Sequence, residues 1–170
     1  MDNKGFCYWV TGLSGSGKTT LSTLLKHHLD KNLSTPTLLL DGDKMREVLD
    51  SNTNNLSDRL KRTYQYSRLC KLITDQHINV VIAVIGLFHE VHVWNKSNIE
   101  NYVEIFLDTP IEELKRRDTK GIYSNHMMSQ KKDIMGIDLK VELPKKPNIL
   151  IKWRKNISPE KTLDEILKKI

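Results

Sequence analysis

The sequence predicts an α/β fold in which a parallel sheet carries helices on both faces, and three observations support this. Short apolar, β-branched runs alternate along the chain with segments of helical period, the pattern of strand–helix–strand units. One run, Asn79–Ile85, reads VVIAVI through its interior with no polar break, as a strand buried on both faces does. A glycine-rich loop follows the first run and opens directly into a helical segment, the arrangement that builds ligand sites in such sheets.

The elements follow in order. Phe6–Thr11 is a short strand ending in the glycine-rich loop. Thr19–Asp30 is a helix with Leu21, Leu24, Leu25, His28 and Leu29 on one stripe. Thr37–Leu40 is a second strand. Ser57 is placed to cap a long helix running to about Gln76, with Leu60, Tyr64, Leu69, Leu72 and Ile73 facing inward. Asn79–Ile85 and Tyr102–Leu107 are further strands, and Pro110 stands where a helix begins, with Asp108 as its expected cap. Asn148–Ile151 is the last strand. Ser158-Pro159-Glu160 then supplies a cap, a first-turn proline and an early acid to a terminal helix, whose buried stripe is Leu163, Ile166, Leu167 and Ile170. Segment 116–147 breaks the alternation: it is polar, holds six lysines and two arginines, and reads as a lid or an unstructured connection within a single domain spanning residues 1–170.

Composition narrows the function classes. The 170 residues are 38% hydrophobic and 28% charged, enough for one core of ordinary make-up. The longest apolar stretch, Val80–Phe88, falls far short of the roughly 20 residues that cross a bilayer, so no membrane role is expected. The first twenty residues hold Asp2, Lys4 and Lys18 and no apolar signal region, and the two cysteines, Cys7 and Cys70, lie in apolar patterns; both point to a reducing, cytoplasmic setting. The net charge of +6 is compatible with nucleic acid or with a small polyanion. Six of the seven arginines fall between residues 46 and 117, and no basic–aromatic interleave accompanies them, so a small phosphorylated partner is expected and nucleic acid is not.

Gly12-Leu13-Ser14-Gly15-Ser16-Gly17-Lys18-Thr19, followed by Thr20, satisfies G-x-x-x-x-G-K-[ST] between a strand and a helix. Its glycines let successive N–H groups turn around a phosphate, and the helix N-terminus adds its positive dipole. Lys18 is expected to bridge the β- and γ-phosphates of ATP, and Thr19 to place its hydroxyl on Mg²⁺. The base-reading N-K-x-D of switch GTPases is absent, since Asn95-Lys96 runs into Ser97-Asn98, which leaves a small-molecule kinase as the best fit. Asp41-Gly42-Asp43 lies directly after the second strand, where one carboxylate can hold the metal and the other can take a proton from an acceptor hydroxyl. A turn with an aspartate helix cap is the plainer reading of that pair.

The motifs together are specific. Thr11–Thr19, Leu40-Asp41-Gly42-Asp43 with Arg46, Asp58-Arg59, Arg117-Asp118-Thr119-Lys120-Gly121-Ile122-Tyr123, Gly136-Ile137-Asp138 and Glu142-Leu143-Pro144 with Pro147 resemble the adenylylsulfate kinase family, in order and over nearly the whole chain. The resemblance implies a P-loop kinase fold, a homodimer, and transfer of the γ-phosphate of ATP to the 3′-hydroxyl of a nucleotide anhydride. It implies that residues 12–20 hold the ATP phosphates, that Asp41 sits by the metal with Thr19, and that Asp43 is the base. It further places Arg46 and Arg59 on the acceptor's anhydride phosphate, and Arg117 and Lys120 on a lid over both nucleotides.

Departures from the family lie on the acceptor side. Where its members have a Ser-Pro after the third strand, this chain has Gly86, so no phosphoserine can form there. The Glu-Asn-x-Arg-Arg element after Asp-Arg is replaced by Leu60-Lys61-Arg62-Thr63-Tyr64-Gln65, and the stacking aromatic before it by Asn54-Asn55-Leu56-Ser57. Phe88-His89-Glu90-Val91, Trp94-Asn95 and Asn101-Tyr102 resemble instead a branch tied to surface-polysaccharide synthesis, which phosphorylates cytidine diphosphoramidate. That resemblance makes cytidine diphosphoramidate the expected acceptor, with Phe88 against it, and adenylylsulfate the alternative. A regulatory nucleotide-binding module without transfer chemistry is the alternative of another class. His89, His92 and Trp94 read equally as acceptor contacts or as a helix face packed on the sheet, and no third ligand suggests zinc.

Overall fold

The computed structural model describes residues 4–33, 35–49, 55–118, 120–128 and 132–170. Asn54 of the altered acceptor segment and Thr119 of the Arg117–Tyr123 motif lie outside them. Five strands form one parallel sheet: β1 (Phe6–Thr11), β2 (Thr37–Asp41), β3 (Asn79–Val84), β4 (Asn101–Asp108) and β5 (Ile149–Lys152), in the order β2-β3-β1-β4-β5. Seven helices connect them: α1 (Lys18–Asn32), α2 (Gly42–Val48), α3 (Leu56–Thr74), α4 (His89–Asn98), α5 (Ile111–Arg117), α6 (Ile122–Met127) and α7 (Pro159–Leu167).

Strand alternation sorts the core into two layers. On one face Cys7, Trp9, Val80, Ile82 and Val84 meet Tyr66, Cys70 and Ile73 of α3 and Val91 of α4. On the other, Tyr8, Val10, Val81 and Ile105 meet Leu21, Leu25 and Leu29 of α1 and Ile166 of α7. Leu25 and Ile166 are fully buried, and each such side chain contributes roughly 1.5–3 kcal/mol. The all-buried β3 between β2 and β1 matches its uninterrupted apolar sequence. Both cysteines are free and buried.

Several sequence expectations shift. Asn55, not Ser57, caps α3: its carboxamide oxygen accepts from the Asp58 N–H at 2.9 Å. The inward stripe of α3 is Thr63, Tyr66, Cys70 and Ile73, while Leu69 and Leu72 face outward, because the helix presents its Thr63–Ser67 face to the sheet. Asp108 does not cap α5. It closes β4, its carbonyl accepting from the Trp153 N–H at 2.9 Å, and Pro110 takes the cap position without a side-chain bond. Ser158 does cap α7, accepting from the Lys161 N–H, though Ile170 beyond that helix is exposed.

The 116–147 segment is largely built rather than unstructured. Asp118 accepts from the Tyr123 and Ser124 N–H groups at 3.0 and 2.8 Å and starts α6. Asp138 accepts from the Ile134 N–H at 2.9 Å and pairs with His126 at 2.7 Å, closing a turn over residues 134–139. Tyr123 and Ile134 bury themselves with Leu114 and against Leu13. Polarity along the sequence concealed these few apolar anchors.

Candidate active site

The glycine-rich loop leaves the carboxyl end of the central strand β1, between β3 and β4. Gly12 turns where a Cβ would lie 2.7 Å from the Leu107 carbonyl oxygen, so only glycine passes there. Gly17 adopts φ 94° as it enters α1, a left-handed conformation that glycine takes without penalty. Lys18 folds back and donates to the Leu13 carbonyl at 2.7 Å. Burial pushes its ammonium down to about 8, aided by the charge of Lys120 and opposed by Asp43 and Asp41. Tyr123 of α6 donates to the Ser14 carbonyl at 2.9 Å and so braces the loop from outside.

Beside the loop runs a cleft of about 450 Å³. Asp41 lines it, at the end of β2 and the start of α2. One oxygen accepts from the Thr19 hydroxyl at 2.7 Å and the other from the Asp43 N–H at 2.9 Å. The plain reading of the pair therefore holds for Asp41, which caps α2 while facing the loop. Asp43 pairs with Arg46 and with Lys120, the latter at 2.5 Å across 77 residues of sequence. Burial works to raise the Asp43 carboxyl, but Lys120 and Arg46 outweigh it and hold the group below the usual carboxylate range.

Two ends of the cleft differ in chemistry. One is lined by Arg117, Trp153, Arg154 and Ile157, with the Arg117 guanidinium 6.0 Å over the Trp153 ring and held by Glu113 at 2.7 Å. The other is lined by Arg46, Arg59, Arg62, Tyr66, Gly86 and Phe88. Residues 14–20, Asp41, Asp43, Arg46, Arg59, Phe88, Arg117 and Lys120 thus converge on one cleft, as the sequence led us to expect. Gly12 and Leu13 shape the loop from behind without lining it.

The residues sequence reasoning missed are Arg62, Thr63, Tyr66, Trp153 and Arg154. Trp153 was findable, as an aromatic just beyond the carboxyl end of the last strand. Arg62 was passed over because it lies where a family element is absent, yet its residue is only 6% exposed and faces the cleft among arginines. His89, His92 and Trp94 do not line the cleft. His92 is buried against β4, Trp94 meets the Tyr64 ring edge-on at 6.3 Å, and His89 lies against Leu143. Each packs on the sheet or its neighbours and none is placed to touch a ligand in the cleft.

The family model described as adenylylsulphate kinase matches residues 4–152. The chain belongs to the adenylylsulphate kinase family. Among curated relatives it is 31% identical to the cytidine diphosphoramidate kinase of Campylobacter jejuni, over 100% of this chain and 99% of that one. It is 35% identical to the adenylyl-sulfate kinase of Clostridium acetobutylicum, over 98% of this chain and 84% of that one. The structure of the Mycobacterium tuberculosis APS kinase in complex with AMPPNP and APS superposes with a TM-score of 0.88 at 26% identity, covering 98% and 97% of the two chains. At the arginine-lined end of the cleft stands Gly86. It sits at φ +45°, and a Cβ there would lie 3.0 Å from Trp9 Cζ2 and 3.2 Å from Val84 Cγ2, so a serine has no comfortable place. No helix among the described residues is long and apolar enough to cross a membrane.

Proposed function

We propose that this protein transfers the γ-phosphate of ATP to the ribose 3′-hydroxyl of a nucleotide anhydride, and that the acceptor is cytidine diphosphoramidate. The observation that carries the transfer chemistry is the position of Asp43, between the phosphate loop and the arginine-lined end of the cleft. ATP lies with its phosphates on residues 14–20 and its base toward Trp153 and Arg117. The acceptor occupies the other end, its anhydride phosphates on Arg46, Arg59 and Arg62 and its base near Phe88. The Asp43 carboxylate takes the proton of the 3′-hydroxyl, the O3′–P bond forms, and the bond from the γ-phosphorus to the bridging oxygen breaks, with ADP leaving in line. No phosphoserine is needed.

The Thr19 hydroxyl and Asp41 carboxylate are hard oxygen donors set side by side at the loop, a donor set that suits Mg²⁺ completed by phosphate oxygens and water. An ion held by Thr19 and Asp41 would supply positive charge to offset that of the transferring phosphates. Lys18 leaves the Leu13 carbonyl for the phosphates. Acceptor phosphates likewise give Arg46 and Lys120 new partners, which strips stabilising charge from Asp43 and strengthens it as a base at the moment both substrates are present.

Cytidine diphosphoramidate is supported by the end-to-end match to the Campylobacter enzyme and by the recast acceptor end. The second reading, adenylylsulfate as acceptor, is supported by the Clostridium relative. Incubation with Mg-ATP and each acceptor, following ADP, tests both. Faster acceptor-dependent ADP with cytidine diphosphoramidate is expected, a preference for adenylylsulfate reverses the assignment, and no ADP with either leaves only the nucleotide-binding module. A homodimer in a reducing, cytoplasmic setting completes the proposal, with sedimentation as the check on assembly.

A further inference from the structure

A polar chain crosses the core beneath the arginine-lined end of the cleft, away from every reacting atom. Glu104 of β4 is wholly buried, one oxygen 3.1 Å from the Lys96 ammonium and the other 3.5 Å from His92 Nδ1 and from the Tyr102 hydroxyl. Asn95 reaches the same hydroxyl at 3.3 Å. On its far side His92 places Nε2 2.8 Å from the Gly86 carbonyl oxygen. A carbonyl can only accept, so Nε2 carries the hydrogen and Nδ1 is left facing Glu104.

The Gly86 carbonyl also accepts from the Phe88 N–H at 3.1 Å, so a single oxygen is held from two sides. Gly86 stands in the left-handed region and cannot be restrained by a side chain of its own. Its neighbours are held from outside as well: Glu142 donates its N–H to the Leu87 carbonyl at 3.1 Å and accepts from the His89 N–H at 2.7 Å. The loop bearing Gly86 and Phe88 is therefore gripped by Glu142 above and by His92 below, and it forms part of the cleft wall.

Burying a carboxylate, an imidazole and a tyrosine hydroxyl together is costly unless their geometry is used. An apolar residue at 92 would fill the space between α4 and β4 without that cost, yet it would leave the Gly86 carbonyl half-satisfied. We propose that His92, through its Nε2–H on the Gly86 carbonyl, is a positioning residue that sets the 85–88 loop and thereby the fit of the acceptor. This rests on the reading of that end of the cleft as the acceptor end.

Three substitutions test it. Gln can bring its amide nitrogen to where imidazole Nε2 lies, Asn stops short, and Phe fills space only. We expect His92→Phe and His92→Asn to raise the acceptor KM about tenfold, the effect of one lost hydrogen bond amplified at a binding loop, with the ATP KM unchanged within about twofold. His92→Gln should recover most of the loss. A proportional change in both KM values, a Gln variant as impaired as Phe, or a fall in Tm alone would overturn the proposal.

Should the phenylalanine variant fail to fold, ¹⁵N shifts of the wild-type histidines decide. A slowly exchanging Nε2–H on His92 is expected, and an Nδ1–H tautomer refutes the arrangement. If the wild type turns over neither acceptor, the kinase assignment fails separately. Hydrogen exchange at the Phe88 amide then reads the loop directly: faster in His92→Asn and restored in His92→Gln supports the role, whereas equal rates in all variants dispose of it.

Discussion

The two ends of the cleft are built by different means. The phosphate-loop end grows from one contiguous motif: Gly12 to Thr20 turn and enter α1 within nine residues, and Asp41 joins them by accepting one hydrogen bond from Thr19. The arginine-lined end is assembled from α2, α3, the loop after β3 and residue Met135 of the 134–139 turn, none adjacent in sequence. A contiguous loop keeps its geometry through local backbone constraints and cannot vary without losing that geometry. A dispersed wall can exchange residues one at a time.

The largest effect should come where the ends meet. Asp43→Asn removes the proton acceptor and should cut kcat by about 10²-fold or more while ATP binds nearly as before; near-normal turnover would remove Asp43 from the role of base. Lys18→Ala should lower kcat/KM by on the order of 10²–10³-fold, as loss of a charged group aimed at the transferring phosphate does, whichever acceptor is used. An acceptor-dependent loss would break the division between ends.

Paired substitutions sharpen it. Arg62→Leu should raise the acceptor KM roughly 10- to 100-fold, the range for a lost charged hydrogen bond, and leave the ATP KM nearly alone. Trp153→Ala should do the reverse, by about tenfold, since it removes an aromatic platform. Initial-rate kinetics with each substrate varied in turn would show crossed effects if the ends are not separate.

pH offers a gentler probe. Burial holds the Lys18 ammonium down at about 8. Below that pH it carries its charge and attracts phosphate; as pH rises through 8 the free form loses the proton, so ATP affinity should weaken progressively, with ATP binding drawing a proton from solution. Calorimetric titration in buffers of different ionisation enthalpy measures that uptake, and none at pH 8.5 would contradict the assignment. The smallest effect is structural: Gly86→Ser should cost about 1–3 kcal/mol through strain in the left-handed region and lower Tm by several degrees, without creating a phosphorylated intermediate detectable by mass.

Much of the fold was legible because its signals are local. The VVIAVI run of β3 and the Ser158-Pro159 start of α7 name their own structures. The failures share a cause. Asn55 and Ser57 are equally competent caps, and only the way α3 lies on the sheet chose between them. Leu69 and Leu72 are apolar yet exposed because the same helix buries Thr63 and Ser67 instead. The lysine-rich 116–147 segment concealed Tyr123 and Ile134, whose value as anchors depends on Leu13 being there to receive them.

What the amino-acid sequence alone determined was the phosphate loop, the paired aspartates and the alternating elements that carry them, because each depends on residues within a few positions of one another. Tertiary structure alone decided that Lys120 would close on Asp43, that Arg62 and Trp153 would face one cleft from opposite ends, and that His92 would turn inward to Gly86. Those juxtapositions depend on how twisted strands and packed helices bring distant positions together, and no spacing along the chain encodes that distance.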